Sequence, residues 1–297
     1  MIKQLRKDWP FHVLIFPSIV LTFIFSYLPM YGLVMAFQDY NPGIGFFKSP
    51  FVGFENFQLI FSQPQFLRTI YNTLFISFLK LFLGTLSSVV FSLLLNEVRS
   101  NFNKRLFQTI VYVPNFISWV IMAGILYTIL STDGLVNIAL KMVHIHSIQF
   151  ISNASVFPWT VIISDVWKVF GFGTVVYLAA ITSIDPELYE SAVIDGAGRW
   201  KQTLRITIPL IAPIIVLMTV LALGNILNAG FDQVYNLYSP AVYSTGDIID
   251  TYVYRLGLQN GKYAIGTTVG IFKSVISCIL ITLSLYVANK VANYKVF

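Results

Sequence analysis

Three lysines, Lys80, Lys168 and Lys273, stand inside long apolar runs of this chain, each about ten residues from one end of its run. At about 1.5 Å per helical residue, that is a depth of about 15 Å, near the middle of a hydrocarbon core about 30 Å thick. An ammonium group facing lipid there costs several kcal/mol, so each should face protein or a wet cavity. Asp165 lies one turn from Lys168 and is placed to neutralise it as an i, i+3 pair. Lys80 and Lys273 have no such neighbour. Two roles are open to them: structural pairing with backbone carbonyls or with a partner subunit, and attraction of an acidic sugar such as a uronate.

Asn225 and Asn228 stand three apart near the end of another apolar run, followed by Asp232, Gln233 and Tyr235. Amides and carboxylates bond sugar hydroxyls and aromatic faces cover a pyranose, so the set suits a carbohydrate path; it suits ordinary helix–helix hydrogen bonding equally. Gly266, Gly270, Ser274 and Cys278 recur every four residues, which puts small side chains on one helix face. That face fits a seam with a second subunit or internal packing. Other chemistry is missing. His12 is isolated and His144 and His146 lack carboxylate or cysteine company, so no metal site is expected. Gly261-Lys262 lacks the Ser or Thr that follows in a phosphate-binding loop, and Lys273-Ser274 lacks the preceding Gly. No nucleotide site or other cofactor is expected in this chain.

The elements that must position these residues are membrane helices. With 297 residues, 56% hydrophobic and only 11% charged, the composition is far from that of a soluble domain. Apolar runs long enough to cross a bilayer fall near 12–37, 70–95, 106–130, 158–181, 207–230 and 263–288. An all-α protein with six transmembrane helices in one domain over 1–297 is expected, with bends in the first and fourth spans where prolines and glycines fall. The basic N-terminus with its long apolar run reads as a retained first span. The net charge of +6 is a topology signal and does not call for nucleic acid. Lys3, Arg6, Lys7, Arg99, Lys104, Arg105, Arg199, Lys201, Arg205, Lys290 and Lys295 gather on one side. Lys48, Arg68, Lys141, Arg255 and Lys262 lie on the other. Eleven against five places both termini, and the loop 182–206 between spans four and five, in the cytoplasm.

That loop has its own logic. Asp185 can cap a helix opening at Pro186, with Glu187 and Glu190 near its positive end. Asp195-Gly196 supplies a stop, and a second short helix with Arg199, Lys201 and Arg205 is expected from Gly198 to about Ile206. An ordinary amphipathic loop would look similar, but the spacing is more specific. Glu190, Ala192, Gly196, Ile206 and Pro209 fall in register with the cytoplasmic signature of permease subunits of binding-protein-dependent ABC importers, with Ser191 in place of an Ala and Ile208 in place of a Leu. The resemblance implies a coupling-helix loop that docks a separate ATPase through Glu190, Ser191, Ala192, Asp195, Gly196, Arg199, Ile206 and Pro209.

Further stretches resemble the carbohydrate-uptake branch of that family. They are Ser26-Tyr27-Leu28-Pro29 with Ala36-Phe37, Gly53-Phe54-Glu55-Asn56-Phe57, Asn72-Thr73-Leu74, Trp167-Lys168 and Gly171-Phe172-Gly173. The likeness is greatest to permeases for oligosaccharides derived from polysaccharides. It implies a multi-pass protein of the bacterial cytoplasmic membrane that forms half of a heterodimeric pore with a second, related permease. Two ATPase subunits carrying ATP and Mg would complete it, with an extracytoplasmic solute-binding protein delivering the sugar. Rival readings are an importer permease for a non-sugar solute, a carrier driven by an ion gradient, and a membrane enzyme. A carrier would show paired broken helices and buried carboxylates, and an enzyme an interfacial nucleophile or metal cluster.

Overall fold

The computed structural model describes residues 9–291. Among these the chain is nearly all helical, with loops over 38–54 and 143–156, and contains no strand; a single bridge joins Gln38 to Phe51. Six stretches are long and apolar enough to cross a membrane: Phe11–Phe37, Pro64–Glu97, Trp119–Met142, Phe157–Thr182, Arg199–Leu223 and Tyr263–Tyr286. The expected number of spans is met. The basic residues Lys3, Arg6, Lys7 and Lys295, used in the topology argument, lie outside the described residues, as does the side chain of Lys290.

The chain divides into two compact units. One comprises residues 9–63 together with Val253–Phe272. Its first helix, α1 (Trp9–Thr22), passes into a π-turn over Phe23–Tyr27 and then a 3-10 run over Leu28–Phe37. The change of winding falls where Pro29 removes a backbone donor, whereas the fourth span, where a bend is also expected, is one unbroken helix over Phe157–Thr182. A short helix α2 (Glu55–Phe61) follows a nest in which Phe37 packs on Phe51, Phe54 and Phe57. Asn56 Nδ2 donates to the carbonyls of Ala36 (3.0 Å) and Gln38 (2.9 Å), which closes the loop around the end of the first span. In the same unit a Cβ on Gly266 would fall 2.9 Å from Cα of Gly257, so at this position the small-residue stripe packs on its own chain. Around Gly270 there is room for a side chain.

The other unit, Pro64–Tyr252 with the chain from Lys273 on, holds the core. Its second span is one helix, α3 (Pro64–Glu97), which begins six residues before the expected 70, and its fourth is α7 (Phe157–Thr182), within a residue of the expected 158–181. They lie against each other along their length. Ser88 Oγ donates to the Phe170 carbonyl at 2.9 Å, and Phe91 meets Phe170 edge-on. Gly173 admits this approach, because a Cβ there would sit 2.6 Å from Ser88 Oγ. Ile76, Met122, Phe157, Val161, Val234 and Ile248 form the buried centre. Phe78, Phe82, Leu86 and Val90 form an exposed apolar stripe on α3.

Two expected spans differ. The third is not one helix over 106–130: α4 (Asn101–Tyr112) ends in a 3-10 turn over Val113–Phe116, and Ser118 caps a new helix, α5 (Trp119–Leu130), before α6 (Leu135–Met142). Pro114 breaks the ladder, and Ser118 Oγ accepts from the Ile121 N–H at 3.4 Å, so the start of a second helix costs little. After α8 (Pro186–Ile194), α9 (Arg199–Gln202) runs without interruption through a π-turn over Thr203–Thr207 into α10 (Ile208–Leu223). The separate second short helix expected over 198–206 is therefore the first two turns of the fifth span. That span also stops at Leu223, seven residues before the expected 230. Turn bonds follow, with the Asn225 N–H on the Ala222 carbonyl and the Asn228 N–H on the Asn225 carbonyl. Gly230, at φ +93°, starts α11 (Phe231–Leu237). Short helices α12 (Tyr243–Gly246) and α13 (Ile249–Val253) lead on to α14 (Tyr263–Val291).

Candidate functional site

The insert between the fourth and fifth spans forms as its residues dictate. Asp185 Oδ1 accepts from the Glu187 N–H at 3.0 Å, and Pro186 occupies the first turn, where its missing donor costs nothing. At the other end the Ala197 N–H reaches the Ala192 carbonyl (2.8 Å) and the Gly196 N–H the Val193 carbonyl (3.0 Å). This pair of bonds requires a left-handed residue between them, and Gly196 supplies it at φ +74°. Glu190, Ser191, Asp195 and Gly196 are exposed, and Ala192 and Ile206 are half-buried.

Three contacts tie the insert to the spans. The hydroxyls of Tyr189 and Thr207 lie 2.9 Å apart, and Gln202 Nε2 donates to the Ala197 carbonyl at 2.8 Å. Arg199 is engaged within the chain, 2.8 Å from Glu97 at the end of α3. Pro209 lies inside the continuous fifth span and is exposed. Val193, Ile194 and Trp200 stand out from this element at 61, 86 and 80% exposure, a large apolar outlay for a polar loop. Composition alone does not show these three as a surface, since each is an ordinary helix residue in the sequence.

The buried lysines are partnered, though not as sequence spacing proposed. Asp165 pairs with Lys80, at 3.3 Å, and not with Lys168. Lys168 Nζ donates to the Asn115 carbonyl at 2.9 Å and lies 5.3 Å from the Trp119 ring centre. It caps a carbonyl freed by the break at Pro114, a demand stronger than a local i, i+3 contact. Lys80 also donates to the Ala229 carbonyl at 2.7 Å and to Gln233 Oε1, so its three N–H donors all have acceptors. Gln233 is fully buried, its Nε2 donating to the Val161 carbonyl (2.8 Å) and Ser164 Oγ (2.9 Å). Lys273 donates to Asn228 Oδ1 at 2.8 Å and forms an ion pair with Asp250, which lies in the short helix α13 and carries no signal in its own sequence neighbourhood.

A cavity of about 450 Å³ opens beside this network. Its wall includes Lys80, Asp165, Tyr177, Asn225, Asn228 and Gly230, drawn from the second, fourth and fifth spans and the turn that follows. Of the expected path residues, Lys80, Asp165, Asn225 and Asn228 meet there, while Lys168, Asp232 and Lys273 are outside the wall. Asp232 is exposed at the start of α11. Asn225 and Asn228 are exposed turn residues, and through Lys273 the side chain of Asn228 also ties the turn to the sixth span. A concave site with amides, one carboxylate and an aromatic ring can hydrogen-bond a polyhydroxylated solute.

Comparison with known proteins shows the family. Residues 80–293 match the family described as binding-protein-dependent transport system inner membrane component. The chain is 40% identical to protein LplB of Bacillus subtilis (strain 168), over 96% of this chain and 90% of that protein. It is 37% identical to the polygalacturonan/rhamnogalacturonan transport system permease protein YteP of the same organism, over 100% and 92%. A crystal structure of a bacterial ABC transporter involved in the import of the acidic polysaccharide alginate matches with a TM-score of 0.90 and 41% identity, over 97% of this chain and 98% of that one. The same transporter type, in complex with an alginate pentasaccharide-bound periplasmic protein, matches with a TM-score of 0.90 over 99% of each chain. With a family match across most of its length and relatives that it covers almost end to end, the chain belongs to the inner membrane components of binding-protein-dependent transport systems.

Proposed function

We propose that the chain is a permease subunit of an ATP-driven importer of oligosaccharides, acidic ones among them, and that it forms half of the pore with a second, related permease. The single observation that carries this reading is the end-to-end likeness, at 41% identity, to a transporter for an acidic polysaccharide. A solute-binding protein delivers the sugar outside, and two ATPase subunits, holding ATP and Mg, act on α8 from the cytoplasm. The exposed Val193, Ile194 and Trp200 give that docking its apolar contact, and Gly196 sets the turn that presents them.

Motion of α8 has a route into the membrane. Tyr189 holds Thr207, and from there the helix extends about 24 Å to Leu223 and the turn that carries Asn225 and Asn228. A push at one end of this lever therefore moves the cavity wall at the other, which is what alternating access requires. An ion-gradient carrier is the weaker account, because the two carboxylates of the network, Asp165 and Asp250, are each neutralised by a lysine.

Orientation and docking are tested together. In a Cys278→Ser background, Val193→Cys should resist impermeant thiol reagents in intact cells, Ser152→Cys should react, and a tagged chain should bring an ATPase through purification. Labelling of Val193→Cys from outside, or no ATPase in the purified complex, would overturn the docking assignment.

A further inference from the structure

We infer that Lys273 and Asp250 are positioning residues that fix which face of the Asn228 amide meets the solute in the cavity. The inference rests on the carbohydrate reading above. Lys273 Nζ lies 2.8 Å from Asn228 Oδ1 and is itself held by the Asp250 carboxylate. An ammonium group only donates, so the amide oxygen must turn toward it, and the NH₂ is the group Asn228 has left to offer. Asn228 is exposed and part of the cavity wall.

The backbone is fixed at the same place by the other lysine. Lys80 holds the carbonyl of Ala229, the next residue, at 2.7 Å, with Asp165 and Gln233 completing its shell. Since Lys80 is matched by Asp165 and Lys273 by Asp250, neither lysine brings net charge to the wall. Selection therefore lies in the orientation of a neutral donor: two N–H groups on Asn228 favour a solute that presents acceptors, a uronate carboxylate above all. Without Lys273 the amide is free to turn over and offer its oxygen to the same solute, and the preference disappears.

The test uses the assembled transporter in proteoliposomes, with alginate pentasaccharide and its carboxyl-reduced, neutral counterpart as probes. In Asn228→Asp the new carboxylate faces the solute, and transport of the acidic probe should fall about fivefold relative to the neutral one, roughly the worth of one hydrogen bond. Lys273→Met should lower the same ratio, and Lys273→Arg, which also only donates, should keep it. An unchanged ratio in both Asn228→Asp and Lys273→Met, or equal loss of both probes, overturns the positioning role. Should Lys273→Met fail to assemble, Asn228→Asp, on an exposed turn residue, decides alone. A wild-type complex that moves neither probe would instead count against the carbohydrate reading itself.

Discussion

Lys80→Met is expected to destabilise the subunit by about 3–5 kcal/mol, the cost of stranding a buried charge when its partner is removed. The Lys80 side chain is 9% exposed, and its loss leaves the Asp165 carboxylate, the Ala229 carbonyl and the Gln233 amide oxygen without their shared donor. The double variant Lys80→Met/Asp165→Asn should recover part of that loss, because the uncompensated charge goes with it. Thermal unfolding of the purified complex, followed alongside its yield, reads both. A Lys80→Met protein as stable as wild type would mean that the network is not what holds the turn 224–230 against the second and fourth spans.

Gly196→Leu is expected to reduce uptake by tenfold or more while the spans remain folded. Nothing lies within 4 Å of a Cβ placed there, so the substitution meets no clash inside the chain. What it meets is the left-handed backbone, at about 1–2 kcal/mol for an ordinary residue, and, on the proposed reading, an ATPase docked against the turn. Gly196→Asn separates the two costs, since Asn tolerates that conformation but still adds bulk at the contact. Uptake and solute-stimulated ATP hydrolysis should fall together in both variants if the ATPase lies against this turn. Normal coupling in Gly196→Leu at normal expression would remove the turn from the docking surface.

The parts of the molecule written in local chemistry were legible before any coordinates. Asp185, Pro186 and Gly196 define both ends of α8 because caps and stops act over a few residues, and the spans show as apolar runs for the same reason. The errors arise where distant residues compete with near ones. Asp165 is three residues from Lys168 yet pairs with Lys80, because Lys168 is drawn to the Asn115 carbonyl that the Pro114 break exposes. The break itself had a signal, Pro114 followed by Ser118, which the apolar run obscured. Asp250 had none in its own neighbourhood. Its only trace was indirect: a lysine at the depth of Lys273 demands a carboxylate from somewhere, and the loop after the fifth span supplies it. The turn at 224–230 was likewise hidden, since its residues are apolar enough to prolong a helix until Gly230 takes a left-handed conformation.

The central claim is that this chain, with its partners, imports oligosaccharide at the expense of ATP. It is tested most directly by reconstituting the transporter in proteoliposomes with ATP inside and a labelled acidic oligosaccharide, bound to the solute-binding protein, outside. The account predicts accumulation of the label that requires hydrolysable ATP and the binding protein and is indifferent to an imposed proton or sodium gradient. Accumulation driven by such a gradient without ATP, or ATP hydrolysis that no saccharide stimulates, would contradict it.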